Sequence, residues 1–372
     1  MLAYKISEEQ TKKLKNLQIK FEETKFLIEA FNTDKKNFIK KQSLISNIGA
    51  STRIENALLT DTEIEWIDTS IATALNTGFL YQQKYIKDKL SKDKERSIEE
   101  VAGYREAIQI VFDSYQDFVP LSAADIKGLH REILKYYPKA NHYLGKYKTH
   151  SNSVIETNHN TKTKKIILKT ADPGIITETS MVELINWFNA TLKETTWVLP
   201  LAVELVFRFL AIHPFQDGNG RISRLLFQLA LLSDPTFEKV VPFVALDRII
   251  EKTRNQYYLV LRKCSDGEFS VDPKTYKIQY FLDYMIKLLL ESVDNLHYYA
   301  KKYDNYIQLA ETSLKILTFF KERPEHSIQT QDIFQKLNIP KRTIQYSLNQ
   351  LIKFEFLQKF GKGPASRYKL VF

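Results

Sequence analysis

The sequence has little of what defines several common protein classes. A single cysteine, Cys264, excludes a disulfide framework, and we expect a reducing, cytoplasmic location. Glycine and proline number only 11 each among 372 residues, which excludes collagen-like and low-complexity chains. A membrane-spanning helix needs about 20 apolar residues, but Glu204 and Arg208 interrupt the most apolar stretch, residues 198–212. We therefore expect no membrane partner, and the charged first residues do not resemble a signal peptide.

What the chain does contain is typical of a helical globular protein. Hydrophobic residues make up 44% and charged residues 26%, and 23 Phe with 20 Tyr supply a large core. Apolar residues recur three and four positions apart over most of the length, which predicts helices. The length suffices for two or three domains.

One segment breaks the helical pattern. Short apolar runs at residues 154–155 and 165–168 flank a polar turn at residues 158–163, which predicts a β-hairpin. An isolated hairpin is barely stable by itself. It is either a surface loop without a role or a strand edge that is offered to a peptide.

The strongest chemical signal lies in residues 212–226, which read IHPFQDGNGRISRLL. Gly218 and Gly220 allow left-handed backbone conformations immediately before an apolar helix. The free N–H groups at such a helix start favour an anion, and phosphate suits them best. The alternative is an ordinary capped helix start beside a core histidine. The sequence has no P-loop, and the third glycine of a dinucleotide fingerprint is missing here.

The polar side chains of this segment also fit a phosphate site. Arg221 and Arg224 lie three residues apart in the first helical turn, where two cations oppose the helix dipole unless an anion is bound. Asp217 is the kind of ligand that Mg²⁺ takes together with phosphate oxygens. His213 titrates near neutral pH and can act as a base.

Residues 213–224 resemble the HPFx[DE]GNGRxxR signature of the Fic (filamentation induced by cAMP) family, and every fixed position matches. Further similarity lies in GLHREIL at residues 128–134, in GKYK at residues 145–148, and in Tyr257 and Tyr258. The resemblance covers roughly residues 45–290. Lys148 stands where arginine is commoner in the family, and we expect no effect of this difference on the chemistry.

The resemblance implies a protein adenylyltransferase, which moves AMP from ATP, with Mg²⁺, to a Ser, Thr or Tyr hydroxyl of a target protein or of itself. By position, His213 would deprotonate this hydroxyl and Asp217 would hold the Mg²⁺. The phosphate oxygens would contact Gly218, Asn219, Gly220, Arg221 and Arg224. Tyr257 and Tyr258 would line the nucleoside pocket, unless they are ordinary core residues. The hairpin, about residues 148–169, would be the flap on which the target docks.

A second resemblance concerns regulation. Residues 51–56 read STRIEN and fit the pattern [ST]xxxE[GN] of the inhibitory helix found in self-inhibited Fic proteins. Carried over, Ser51 and Glu55 would belong to the inhibitory motif, and Glu55 would pair with Arg224 and withdraw it from the γ-phosphate. The alternative is a surface glutamate near a helix end. Other Fic reactions stay open, namely AMP removal, in which Glu55 would assist, UMP transfer and phosphorylation; Asn219 disfavours the last, because kinase-type members usually have a lysine there.

The end of the chain differs in charge. Residues 311–372 carry 11 basic and 5 acidic residues, so +6 of the net charge of +10 lies there. Helices predicted at residues 314–320, 330–337 and 342–352, followed by two strands around a Gly-rich tip, resemble a winged helix-turn-helix. Residues suited to nucleic-acid contact are Lys341, Arg342, Gln345 and Lys362. The alternatives are a protein-docking or homodimer module and a lysine-rich solubilising surface.

These observations predict a mainly α fold with one hairpin and a small winged-helix domain. The expected parts are an N-terminal helical region at residues 1–110, a Fic catalytic core at residues 111–290, a helical connector at residues 291–312 and the winged helix at residues 313–372. The competing class is a DNA-binding regulator whose Fic core only senses a nucleotide.

Overall fold

A computed structural model describes residues 1–73, 78–157 and 163–372, and these are mainly helical, as the sequence predicts. The α-helices are α1 (Glu8–Ala30), α2 (Thr33–Ile54), α3 (Asp61–Ala72), α4 (Phe79–Lys89), α5 (Glu95–Ser114), α6 (Ala123–Leu134), α7 (Ile175–Leu192), α8 (Val198–Ile212), α9 (Asn219–Leu232), α10 (Pro235–Val240), α11 (Leu246–Lys252), α12 (Arg254–Ser265), α13 (Gln279–Tyr306), α14 (Glu311–Lys321), α15 (Thr330–Leu337) and α16 (Lys341–Lys353). The strands are β1 (Ser153–Thr157), β2 (Lys164–Lys169), β3 (Ile328–Gln329), β4 (Leu357–Phe360) and β5 (Arg367–Leu370). None of the helices within the described ranges is long and apolar enough to cross a membrane.

Helices α8 and α9 form the centre of the fold. The apolar stretch that becomes α8 is buried along almost its whole length, with only Arg208 partly exposed. α8 packs against α7, α9 and α13, while α9 also contacts α2, α5 and α6. The last turns of α2 are buried on all sides, because α2 runs between α5, α11 and α13. The end of α2, the end of α8 and the start of α9 therefore meet inside the protein.

The predicted hairpin is present as the antiparallel pair β1 and β2, with Val154 opposite Leu168 and an irregularity between Val154 and Ile155. Two hydrogen bonds attach β2 to the end of α12 and the loop after it. The side chain of Arg262 donates from Nη1 to Ile166 O (3.0 Å), and the backbone N of Lys169 donates to Gly267 O (2.9 Å). The polar turn predicted at residues 158–163 lies, except for Thr163, outside the described residues. The hairpin is thus held at its base beside the start of α9.

The basic end of the chain forms a unit of its own, which we call the C-terminal unit (residues 309–372). Its helices α14, α15 and α16 and the antiparallel sheet β3–β5–β4 enclose an apolar cluster separate from the main core. The predicted helices and the two predicted strands agree with this arrangement within two or three residues at each end. Strand β3 was not predicted, because a strand of two residues is too short to show an alternating pattern.

Ion pairs join the C-terminal unit to α3, the helix that begins at Asp61, six residues after Glu55. Lys321 Nζ lies 2.8 Å from Glu65 Oε1 on α3. Lys94, just before α5, bonds both Glu63 of α3 (2.7 Å) and Glu325 of the C-terminal unit (2.8 Å). The position of α3 is therefore tied to that of the C-terminal unit.

The contact between α5 and α6 yields a stability prediction. A Cβ atom at Gly103 would lie 2.5 Å from the carbonyl oxygen of Ile133 in α6. Gly103→Ala is therefore expected to force the helices apart and to lower the free energy of unfolding by roughly 1–3 kcal/mol. Urea unfolding followed by far-UV circular dichroism measures this change.

Gly128→Ala is the matched control for this prediction. Gly128 lies inside α6, and the nearest atom to its added Cβ would be Arg131 Nη2 at 3.8 Å. Because alanine favours helices over glycine, the control should gain roughly 0.5–1 kcal/mol. Similar losses in both variants would contradict the close approach inferred at Gly103.

Candidate active site

The loop between α8 and α9, residues 213–218, has a tightly fixed backbone. His213 and Gly218 both adopt left-handed conformations, with φ of 52° and 81°. Asn219 closes the loop, because its Oδ1 accepts from Phe215 N (2.9 Å) and its Nδ2 donates to Phe215 O (2.6 Å). The Asn219 side chain is therefore occupied, and of this residue only the backbone N–H remains for an anion.

His130 of α6 supports the same loop from beneath. Its ring stacks on the fully buried Phe215 ring, with centroids 3.9 Å apart and planes 11° apart. Its Nδ1 accepts from Gly145 N (2.9 Å) and its Nε2 donates to Asp217 O (3.0 Å), which fixes the tautomer. Burial lowers the pKa of His130 to about 4. His130 is therefore a neutral residue that positions the loop.

One ring nitrogen of His213, Nε2, has no hydrogen-bond partner among the described residues. Its Nδ1 lies 3.2 Å from Leu210 O, and since a carbonyl oxygen only accepts, Nδ1 carries the proton. Its Nε2 therefore keeps a lone pair. Burial, and next the charge of Lys148, lower the pKa of His213 to about 4. The imidazole is thus a neutral base at pH 7.

Lys148 links the hairpin to this loop. Its buried Nζ donates to Asn152 Oδ1 (2.8 Å), Thr170 Oγ1 (3.1 Å) and Ile212 O (3.0 Å). Asn152 Nδ2 in turn donates to Phe215 O (2.8 Å). Burial lowers the pKa of Lys148 to about 8. Lys148 thus lies close enough to His213 for its charge to contribute to the low pKa of this histidine, which the sequence did not indicate.

Arg224 is buried and fully engaged by the end of α2. Its Nε donates to Ser51 Oγ (2.7 Å), and its Nη2 donates to Ser51 O (2.8 Å) and to Glu55 Oε1 (2.9 Å). The ion pair expected between Glu55 and Arg224 is therefore present in this structure. The Glu55 carboxylate also lies directly over Gly220, where an added Cβ would overlap Oε1.

A buried carboxylate lies behind Arg224. Asp247 accepts from Tyr104 OH (3.1 Å), and its backbone N donates to Asn47 Oδ1 of α2 (3.0 Å). Burial raises the pKa of Asp247 to about 6, and the charge of Arg224 opposes this rise. The guanidinium of Arg224 is thus held between α2 and α11 by more than the Glu55 contact.

Arg221 differs from Arg224 in how its hydrogen-bond donors are filled. Its side chain is 1% exposed, and its Nη2 lies 3.6 Å from Asp217 Oδ1. Its Nε and Nη1 have no hydrogen-bond partner within residues 1–73, 78–157 and 163–372. Unfilled donors on a buried cation are costly, and an anion is the kind of partner that would satisfy them. Asp217 itself is 37% exposed, with Oδ1 accepting from Gly218 N (2.6 Å).

Several of these groups line one cleft of about 360 Å³, whereas Arg221 lies behind its wall, next to Asp217. Its walls include Glu55, Asn152, Lys164, His213, Asp217, Gly218, Asn219, Gly220, Arg224, Tyr257 and Tyr258. The two tyrosine rings are buried, with centroids 5.5 Å apart, and form the wall on the α12 side. In the described part of the chain, no group of three or more acidic, histidine or cysteine side chains could hold a metal ion by itself. A metal at Asp217 would thus need ligands from the substrate.

The structure brings together the predicted residues of α2, the loop, α9 and α12. The residues predicted for nucleic-acid contact, among them Lys341 and Lys362, lie apart on the C-terminal unit and do not line this cleft. Sequence reasoning missed the supporting roles of His130, Asn152, Tyr104 and Asp247. A signal existed only for His130, which lies in the GLHREIL segment.

Comparisons with known proteins agree with this geometry. A profile of the Fic/DOC family matches residues 120–231. A Fido domain-containing protein of Dictyostelium discoideum is 34% identical over 102 residues, which are 24% of this chain and 69% of that protein. The chain therefore belongs to the Fic/DOC family.

More distant similarities cover other shares of the chain. The protein adenylyltransferase Fic of Drosophila yakuba is 30% identical over 83 residues, 22% of this chain but only 15% of that protein. A crystal structure of a Fic family protein from Desulfovibrio desulfuricans covers 100% of this chain and 98% of its own, with a TM-score of 0.56 and 19% identity. At this identity the structural similarity supports the fold alone.

The environment of His213 predicts its titration. In ¹³C-detected NMR of the imidazole, His213 should stay neutral down to about pH 4. Lys148→Gln removes a nearby positive charge and should raise this pKa. Because an unfolded histidine titrates near pH 6.5, the lowered pKa also means that its contribution to stability is lost as pH falls from about 6.5 towards 4. His213→Ala assigns the signal, and a wild-type pKa above 6 would contradict the buried, neutral state.

Proposed function

We propose that this chain is a protein adenylyltransferase that transfers AMP from ATP to a hydroxyl group of a protein and is inhibited by its own Glu55. One observation carries the proposal: two buried arginines open α9, one with unfilled donors and the other occupied by Glu55. Unfilled guanidinium donors beside a glycine-rich helix start fit a polyphosphate. The cleft of about 360 Å³ with aromatic walls fits a nucleoside.

His213 would supply the base. Its Nε2 lone pair faces no proton donor among the described residues, and Nδ1–H is fixed on Leu210 O. Phosphate groups bound nearby would raise the pKa of the imidazole above its present value, because they stabilise the charged form. The base would therefore become stronger when the nucleotide is bound, and it would accept the proton of the attacking hydroxyl. The hydroxyl oxygen would bond to the α-phosphorus of ATP while the α–β phosphoanhydride bond breaks and pyrophosphate leaves.

The residues that would hold the phosphates are the backbone N–H groups of Gly218, Asn219 and Gly220 and the guanidinium groups of Arg221 and Arg224. Transfer of this kind depends on positioning and charge stabilisation more than on covalent chemistry by the protein. The single, partly exposed carboxylate of Asp217 fits Mg²⁺, which takes one or two carboxylates plus phosphate oxygens. The ion would supply charge neutralisation to the phosphates.

The hairpin and the tyrosines would select the substrates. β1 pairs with β2 on one side, and Ile155 on β1 is 41% exposed, so its outer edge is suited to adding an extended target segment. Tyr257 and Tyr258 would contact the nucleoside. The target protein is thus proposed to lie along residues 148–169, with its hydroxyl near His213.

Inhibition would follow because Glu55 occupies the place of the γ-phosphate. The Glu55 carboxylate lies over Gly220 and bonds Arg224, so it takes both the space and the charge that a γ-phosphate needs. Ser51 holds the same arginine through its hydroxyl and carbonyl. Arg53 fixes this end of α2 through Glu251 (2.6 Å) and Asp61 (2.8 Å). ATP would bind productively only after Glu55 has moved.

The proposed organisation keeps the parts expected from the sequence. An N-terminal helical region would occupy residues 1–110, with the inhibitory helix near residues 51–56. The catalytic core would occupy residues 111–290, a connector residues 291–312 and a winged helix-turn-helix residues 313–372. The last assignment is supported by the order of α14, β3, α15, α16, β4 and β5. It is also supported by the antiparallel β4–β5 hairpin with positive φ at Gly361 and Gly363.

The test uses purified protein incubated with ATP and Mg²⁺, with AMP attached to the protein measured by intact mass. We expect weak labelling of wild type, at least about tenfold more for Glu55→Gly, since the loss of a competitor worth about 1.4 kcal/mol corresponds to tenfold, and none for Glu55→Gly/His213→Ala. Chelation of Mg²⁺ by EDTA should abolish labelling of Glu55→Gly.

Asn56→Gly is the matched control. Asn56 has φ of 80°, which glycine adopts without strain, so this variant changes the adjacent turn residue but keeps the Glu55–Arg224 pair. It should behave as wild type. Failure of Glu55→Gly both to bind ATP and to transfer AMP would reject the enzymatic proposal. Phosphate on the protein, UMP on the protein when UTP replaces ATP, or loss of AMP from protein that was labelled beforehand would identify another reaction of the family.

A further inference from the structure

The C-terminal unit exposes many basic side chains that have no acidic partner. Between residues 328 and 372 these exposed side chains are Lys336, Lys341, Arg342, Lys353, Lys359, Lys362, Arg367 and Lys369. None of them forms an ion pair with the part of the chain that the structure describes, whereas Lys315, Lys321 and Arg323 of α14 and its end all do. The same stretch contains two acidic residues, Asp332 and Glu355. An uncompensated positive surface of this kind favours a polyanion.

Helix α16 divides into two faces. Ile344, Ser347, Leu348 and Leu351 are buried and pack towards α14 and α15. The exposed residues are Lys341, Arg342, Thr343, Gln345, Tyr346, Asn349 and Lys353. At about 100° per residue, these exposed positions fall within about 200° of the helix circumference, and the buried ones occupy the rest. The polar face is therefore continuous along the whole helix.

The chemistry of this face combines charge with hydrogen-bonding amides. Lys341 and Arg342 lie in the first turn and Lys353 in the last. Between them Gln345 Nε2 donates to Asn349 Oδ1 (3.1 Å), so the two amides are aligned along the face. Cations contact phosphates, and amides or arginine can contact base edges.

The β4–β5 hairpin adds a second basic element beside α16. β4 packs directly against α16, and the hairpin carries Lys359 and, at its tip, Lys362 between Gly361 and Gly363. Positive φ at both glycines makes the tip narrow. With this arrangement, the helix can lie in a groove of a nucleic acid while the narrow basic hairpin contacts the phosphate backbone beside that groove.

We propose that the exposed face of α16 and the tip of the β4–β5 hairpin bind duplex nucleic acid, with α16 in the major groove of DNA and Lys359 and Lys362 on the neighbouring phosphates. A helix of 13 residues is about 20 Å long, and a B-DNA major groove about 12 Å wide accepts it. Single strands are bound instead by successive aromatic side chains along a groove. Here the exposed aromatic residues of the described face and hairpin, Tyr346 and Phe360, lie on different elements. This inference does not depend on the proposed AMP transfer.

The test measures fluorescence anisotropy of a labelled, mixed-sequence DNA duplex of about 20 base pairs with the full chain. We expect binding that weakens steeply as salt rises from about 50 to about 200 mM. Lys341→Gln/Arg342→Gln should weaken binding about tenfold or more at about 100 mM salt and reduce the slope of log affinity against log salt by about two.

Lys12→Gln/Lys15→Gln is the control with the same net charge. Both lysines are exposed on α1 and lack an ion pair among the described residues, so duplex affinity should stay within about twofold of wild type. Thermal unfolding of both double variants verifies that folding is unchanged. The proposal is overturned if wild type does not bind the duplex at low salt, if both double variants lose affinity equally, or if a single strand of the same sequence competes as well as the duplex. A C-terminal unit that docks only on protein would give the first of these results.

Discussion

Arg224 carries a charge that the surrounding protein buries almost completely, with 3% of the side chain exposed. Burying an ion costs several kcal/mol, and this cost is tolerated only when a counter-charge and hydrogen bonds replace water. In this structure Ser51 and Glu55 provide the replacement. The guanidinium of Arg224 therefore links the position of the last turn of α2 to the charge inside the cleft. Any anion that takes the place of Glu55 must offer Arg224 at least an equal interaction. A phosphate does, since its bidentate pairing with arginine is among the strongest hydrogen-bonded contacts.

The loop of residues 213–218 depends on the same principle applied to the backbone. Its carbonyl and N–H groups are buried and need partners. Asn152, His130 and Asn219 provide these partners from the hairpin, from α6 and from α9. Because each support comes from a different element, the loop is rigid before any ligand binds. Rigidity leaves the free N–H groups at the start of α9 already oriented, so ordering them costs little when an anion arrives.

The contiguous part of this arrangement could be predicted from the sequence, since the histidine, the glycines and the arginines all lie within the twelve residues 213–224. Glu55 was predicted as well, because its motif is also local. The supports could not be predicted. His130, Asp247 and the pair Lys148 and Asn152 come from three segments separated in sequence, and no periodicity indicates which buried polar residues will meet. The role of the Asn219 side chain could not be predicted for the same reason: it bonds Phe215 across the loop, and this closure depends on the left-handed backbone at His213 and Gly218.

Charge is distributed differently over the two sides of the C-terminal unit. Where the unit meets the rest of the chain, Lys321 and Glu325 are paired with Glu65 and Lys94. On α16 and the β4–β5 hairpin the cations form no ion pair with any of the described residues. A ligand on α16 and the hairpin can alter the cleft only if α3 has two positions and the affinity for the ligand differs between them. The ligand shifts the equilibrium between these positions by no more than this difference in affinity. The physical route exists, because Asp61 at the start of α3 bonds Arg53, two residues before Glu55. Coupling in one direction would imply equal coupling in the other, so nucleotide binding that displaces Glu55 would then change duplex affinity by the same factor.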